Sequence, residues 1–347
     1  MFVPIIFLLI FIAIVYFLQT WSIKNALKGV EYKREVSKLL NAPGEPFSLI
    51  SSITNTSFRL IPFVAVHENL TEEISHNFKV YLMPRSKLVR KVETSLPKRG
   101  RYLFSRAIIN GGDFLGISEN YQAFSTRCEI IIYPEEISGN YINRVTGSFL
   151  GDVSVSRFIV PDPTLVTGFS EYTGREPMKS ISWMQTLRSG TMMVKNYDYT
   201  TELSATVVLS LDYLSDVDLR LPEGAPELVE KSLSIARTIC ETLNKRKIRY
   251  DFFSNMSPMG RTGTWDYVNE GLGDRHLSYI LEGLGRASLL RNEPLEQLAA
   301  RVSKRQLANK SIIFIVPNNE YRAMQIIKQS GKEIKSLTVV AADKVGG

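Results

Sequence analysis

The chain has 347 residues, of which 44% are apolar and 22% charged, and a formal net charge of +7. These values exclude a disordered or fibrous chain and leave room for two domains of ordinary size. Two cysteines, Cys128 and Cys240, exclude a disulfide framework or a four-thiolate zinc site, and three histidines, His67, His76 and His276, leave little for a histidine-based centre.

The first element is an apolar run. No charged residue occurs between Met1 and Ile23, Lys24 is the first, and Trp21 stands near the downstream edge. That length and aromatic edge predict a membrane-spanning helix over residues 1–23. A cleaved signal peptide is disfavoured, because a basic leading region and a small-residue cleavage site are both absent. Lys24, Lys28, Lys33, Arg34 and Lys38 follow the run and no basic residue precedes it. The positive-inside rule then predicts a single-pass protein of the cell membrane with the bulk of the chain cytoplasmic. Residues 24–42 read as a juxtamembrane linker.

Residues 43–140 read as strands. Phe78, Val80 and Leu82 alternate with other residues, Cys128–Tyr133 is a β-rich run stopped by Pro134, and turns fall at Ala42-Pro43-Gly44 and Pro97-Lys98-Arg99-Gly100. Short runs at this spacing predict a β-sandwich-like domain. Nine basic residues and one acid, Glu93, lie between Lys79 and Arg106. That window reads as a solvated sheet face, with a membrane-surface patch as the alternative. Nucleic acid is not expected as a partner, because aromatic interleaving is thin.

Residues 141–200 connect the strand-rich part to residues 201–347, where strands and helices alternate. Ala205–Leu211 reads as a buried strand ending in Asp212. Val229, Leu233, Ala236, Cys240 and Leu243 mark one helix face. Ile248–Phe253, Ser311–Val316 and Leu337–Ala342 read as further strands, and Leu277, Ile280, Leu281 and Leu284 as a helix. The alternation predicts a mostly parallel sheet with helices on both faces, and ligands sit outside the C-terminal strand ends of such sheets.

Glu171-Tyr172-Thr173-Gly174-Arg175, then Ile181-Ser182-Trp183-Met184-Gln185-Thr186-Leu187-Arg188 and Val194-Lys195, resemble the motif set of the bacterial "domain of unknown function 58" family. Lys98-Arg99-Gly100-Arg101-Tyr102, Gly112-Asp113-Phe114-Leu115-Gly116 and Ile131-Ile132-Tyr133-Pro134 resemble its upstream turns and strand. The set covers nearly the whole chain in order. This chain departs from the family pattern at Ser170, Arg175, Met184 and Leu187, so it resembles a divergent member. The resemblance implies an α+β chain overall, with an N-terminal transmembrane helix, a β-rich domain and a C-terminal α/β von Willebrand factor A-like domain. It also implies a partner, because members are often encoded beside MoxR-type AAA+ ATPases.

Domains of that kind often hold a divalent cation through Asp-x-Ser-x-Ser and later loops. Asp212-Tyr213-Leu214-Ser215-Asp216 is a degenerate remnant in which Asp212, Ser215 and Asp216 survive as oxygen donors. Asn318 and Asn319 stand where a carboxylate is expected, and Thr262 or Thr264 could supply the remote threonine. No metal and no cofactor are expected. In the central motif, Trp183 and Tyr172 are expected to pack between the two parts with Arg188 paired to Glu171; an exposed partner hot spot at Glu171, Tyr172, Gly174, Trp183 and Arg188 is the alternative. The functional expectation is a non-enzymatic, membrane-anchored interaction or scaffold protein working with a MoxR-type AAA+ ATPase. The alternatives are a divalent-cation-dependent adhesion module and an envelope hydrolase.

Overall fold

The computed structural model describes residues 3–25, 27–69, 74–112, 119–155, 161–199, 204–213, 224–260, 265–305, 311–318, 320–330 and 336–345. They divide into two compact units. The first holds Met1–Glu135 with Leu281–Ala287, and the second holds Glu136–Ile280 with Ser288–Gly347.

The first helix, α1, spans Val3–Asn25. Among the described residues, no helix is long and apolar enough to cross a membrane. This corrects the expected transmembrane anchor and, with it, the single-pass placement in the cell membrane with a cytoplasmic bulk. The fold class becomes a mixed α/β chain with seven α-helices among the described residues.

Within the stretch expected as a linker, Val30–Val36 and Leu40–Asn41 already form strands. Strands β1 (Val30–Val36), β2 (Leu40–Asn41), β3 (Phe47–Asn55), β4 (Ile61–Asn69), β5 (Ser75–Leu82), β6 (Lys87–Thr94), β7 (Gly100–Gly112) and β8 (Glu119–Ile132) build the first unit. One sheet has the order β1-β3-β6 and the other β2-β8-β7-β4-β5. Burial alternates along β1, β3, β5 and β6, because successive side chains of a strand point to opposite faces. The inward residues form two apolar clusters, each drawing on both sheets. One includes Val30, Ile53, Val64, Val66 and Leu82. The other includes Phe47, Leu49, Phe104, Ile130 and Ile132.

The basic window does not form one solvated face. Arg90 lies in the inward phase of β6, with its guanidinium 4.2 Å from the Phe78 ring centre. Arg99 donates to the carbonyls of Leu284 (2.9 Å) and Ala287 (2.7 Å). Arg101 pairs with Glu129 at 2.9 Å, and Glu129 also accepts from buried Arg286 at 2.6 Å. The Arg286 guanidinium, followed by that of Arg101, holds the Glu129 carboxyl below its ordinary value.

The second unit begins with α2 (Asn140–Val155), β9 (Pro161–Glu171), α3 (Trp183–Ser189) and β10 (Met193–Tyr199). It continues with β11 (Ser204–Leu209), α4 (Ala225–Lys245), β12 (Arg249–Ser254), β13 (Met256–Pro258), β14 (Tyr267–Gly271) and α5 (Asp274–Arg286), whose end from Leu281 belongs to the first unit. The last elements are β15 (Ala287–Arg291), α6 (Leu295–Lys304), β16 (Ser311–Val316), α7 (Glu320–Ser330) and β17 (Ser336–Ala341). The main sheet has the order β14-β12-β11-β16-β17 and is parallel except for the antiparallel edge strand β14. Every residue of β16 is buried, as expected of a strand covered on both faces. Ile312, Phe314 and Val316 pack with Leu295, Leu298 and Val302 of α6 and Ile327 of α7. Ile313 and Ile315 therefore face the opposite side, where α4 lies against β11 and β16.

Candidate interaction surface

The central motif folds on itself. β9 and β10 pair antiparallel, with Met193 opposite Glu171, Val194 opposite Ser170 and Lys195 opposite Phe169. The chain between them turns at Gly174, whose φ of +86° suits glycine, and Glu176 ties the turn by accepting from the Thr173 amide (3.0 Å) and hydroxyl (2.8 Å). These bonds, the Thr173 hydroxyl first, hold the Glu176 carboxyl below its ordinary value. A 3-10 turn at Met178–Ser180 leads to a bridge between Ile181 and Val194. Ser180, Ile181, Ser182 and Val194 are the buried residues of this small body. The Ser182 amide donates to the Met193 carbonyl (2.8 Å), and the Met193 amide to the Thr186 hydroxyl (3.0 Å), which ties α3 to β10. Gly190, at φ +76°, ends α3 in a left-handed cap with its amide on the Thr186 carbonyl.

That frame leaves α3 with no buried residue. Trp183 is 64% exposed, Met184 68% and Leu187 86%. Met178 and Met192 are exposed on the neighbouring turns. Ile181 and Ser182 face into this small body, and Trp183 does not pack within it. Tyr172 is half-buried and its amide donates to the Met192 carbonyl at 2.7 Å. Glu171 and Arg188 are both exposed and form no ion pair with each other or with any described residue. In the same body, Thr167, Ser170, Glu176, Lys179, Ser180 and Lys195 line part of an open cavity of about 920 Å³. Glu171, Tyr172, Gly174, Trp183 and Arg188 lie in one local body, in which Glu171, Trp183 and Arg188 are exposed and Tyr172 is half-buried.

Asp212 is buried beyond the C-terminal end of β11. Its carboxylate pairs with Arg291 and accepts from the Leu295 amide (2.8 Å) at the start of α6. A helix start is a favourable place for a carboxylate, so this residue has a structural task in the fold. Ser215 and Asp216 lie outside the described residues, as do Leu214, Thr262, Thr264, Asn319 and the Asp113–Gly116 turn. Among the described residues, no group of three or more His, Cys, Asp or Glu side chains is arranged to hold a metal.

The remaining candidates for chemistry are occupied by packing. Burial pushes both the Cys128 and Cys240 thiols up. His276 packs edge-on against Tyr250, with Nε2 3.0 Å from the Tyr250 carbonyl, and burial pushes its pKa down. His67 meets the Asn77 side chain at 3.0 Å on the outer face of the first unit.

No family model matches the chain. No curated protein matches it. Among solved structures it is similar to a CARDB domain from Pyrococcus furiosus, with 14% identity over 29% of this chain and 94% of that one and a TM-score of 0.22. It is also similar to the sporulation control protein Spo0M from Bacillus subtilis, with 8% identity over 42% of this chain and 58% of that one and a TM-score of 0.18. A putative late embryogenesis abundant protein shows 11% identity over 35% of this chain and 84% of that one, with a TM-score of 0.22. At these scores none carries an argument about fold or function. The von Willebrand factor A-like label and the keyword of a domain-of-unknown-function family are corrected on the same ground, since no comparison supports them. Asp212, the leading residue of the expected cation motif, is held by Arg291 and the Leu295 amide.

Proposed function

We propose that this chain is a non-enzymatic interaction or scaffold protein, and that it engages its partner through the surface centred on Trp183, Leu187 and Arg188. One observation carries the reading: α3 is tied to β10 through the Ser182 amide and the Thr186 hydroxyl, yet presents Trp183, Met184 and Leu187 to solvent. Tryptophan and arginine are the side chains that most often dominate binding energy, and a rigid support reduces the ordering cost of using them. Two buried thiols with raised pKa values, and an Asp212 committed to Arg291 and α6, support the non-enzymatic part.

The partner to test is a MoxR-type AAA+ ATPase, the class implied by the motif resemblance. Tagged full-length chain and the purified ATPase from the same source should co-purify. Trp183→Ala should abolish co-purification while leaving the melting temperature within a few degrees of wild type. Co-purification that survives Trp183→Ala would move the interface elsewhere. No co-purification with wild type would remove this partner.

A further inference from the structure

The two apolar clusters of the first unit are separated by a layer of charged and polar side chains. Three inward positions share a row across one sheet: Arg34 pairs in register with Ser51, and Ser51 with Arg90. On the facing sheet, Glu68 pairs in register with His76. The sheets are bridged here. The Tyr32 hydroxyl donates to Glu68, the Ser51 hydroxyl donates to the same carboxylate oxygen at 2.5 Å, and Arg34 Nε donates to the Tyr32 hydroxyl at 3.0 Å. Arg34 Nη2 lies 3.6 Å from that oxygen, with the Arg34 side chain 0% and the Glu68 side chain 1% exposed.

The layer is incompletely satisfied. Arg34 Nη1 and Nη2, Arg90 Nη1 and His76 Nε2 are buried without hydrogen-bond partners, and Glu68 Oε2 is the one carboxylate oxygen left over in the layer. The other inward groups nearby are satisfied or apolar. Thr126 donates to the Phe104 carbonyl, Cys128 packs in one cluster and Ala107 in the other. Among the described residues of the layer, two guanidinium groups share one carboxylate, which leaves one positive charge in excess. No described carboxylate pairs with Arg90, whose guanidinium lies on the Phe78 ring. Buried charge is very costly unless compensated. The three unpaired guanidinium nitrogens outnumber the one unpaired Glu68 oxygen, and with the excess positive charge they call for an acceptor that is negative.

We propose that the sandwich of the first unit binds a small monovalent anion of halide size between Arg34 and Arg90. One charge neutralises the layer, and a monatomic anion accepts from several N–H groups without bringing a donor of its own. This site is independent of the Trp183 surface and asks nothing of it.

Two measurements on the full chain test it. Crystals soaked in bromide should show an anomalous peak in contact with the Arg34 and Arg90 guanidinium groups; density that refines as water, with no bromide signal, would overturn the proposal. In solution, raising chloride from ~10 to ~100 mM, with gluconate holding ionic strength constant, should raise the melting temperature by a few degrees through binding to the folded state. Arg90→Met keeps apolar cover over Phe78 and should abolish that dependence, while Lys91→Met, on the exposed phase of β6, should keep it. A chloride dependence that persists in Arg90→Met, or is absent from wild type, contradicts the site. The diffraction experiment decides the question if Arg90→Met fails to fold.

Discussion

The exposure of Trp183 can be tested against Trp265, a second tryptophan of the same unit. Truncating a fully buried Trp to Ala costs roughly 3–5 kcal/mol. Trp265 is 1% exposed, stacks on Tyr279 with ring centres 5.4 Å apart, and donates its indole N–H to the Tyr279 carbonyl at 2.9 Å. Trp265→Ala should therefore incur that full cost. Trp183 is 64% exposed, so only about a third of the same cost, roughly 1–1.5 kcal/mol, applies to Trp183→Ala. At about 2–4 °C per kcal/mol for a unit of this size, Trp183→Ala should lower the melting temperature by about 2–6 °C and Trp265→Ala by on the order of ten degrees. Near-ultraviolet circular dichroism of the full chain during heating reads both. If Trp183→Ala destabilised the chain as much as Trp265→Ala, α3 would be a core element and the reasoning for a free surface would fail.

Three further outcomes follow from single sites. Asp212→Ala removes the acceptor of the Leu295 amide and the partner of Arg291, so it should destabilise the chain by about 1–3 kcal/mol. Wild-type melting should be the same in millimolar magnesium and in EDTA, and a magnesium-dependent rise lost in Asp212→Ala would contradict this assignment. Glu129 has a folded pKa below its ordinary 4.5, so the stability it supplies is present above that value and lost as pH falls through the folded pKa. Acid titration should show this loss, and Glu129→Gln should remove it. Cys128 and Cys240 should resist alkylation in the native chain and react on unfolding, whereas fast labelling at neutral pH would show a thiol open to solvent.

Elements bounded by strong local chemistry were legible in the sequence. Ser311–Val316 is an apolar run cut by Pro317 and coincides with β16, and the spacing of Val229, Leu233, Ala236, Cys240 and Leu243 marks the buried face of α4. Short amphipathic helices were not: α6 covers only Leu295–Lys304, and its packing on the sheet decides it more than its propensity does. Arg34, Glu68 and Arg90 carry a more instructive error. Counted as charge, Arg90 reads as part of a basic face. In the alternation Leu88-x-Arg90-x-Val92, matched by Tyr32-x-Arg34-x-Val36 and Val64-x-Val66-x-Glu68, each charge occupies the inward phase. The signal was present as period rather than composition. The interaction motif was legible as a set of residues, but not as a surface. Trp183 reads as a core residue by type, and only the inward turn of Ile181, Ser182 and Val194 assigns it to solvent.

The most direct test of the interaction surface is the affinity of the full chain for the purified ATPase, measured by calorimetry for wild type, Leu187→Ala and Tyr321→Ala. Leu187 is 86% exposed within the surface, and Tyr321 is 74% exposed on α7. Both truncations should leave stability nearly unchanged, because neither side chain packs inside the molecule. The account predicts that Leu187→Ala weakens binding about tenfold or more, as loss of an interface anchor does, while Tyr321→Ala binds like wild type. Equal affinity for all three chains, or a loss confined to Tyr321→Ala, would contradict it.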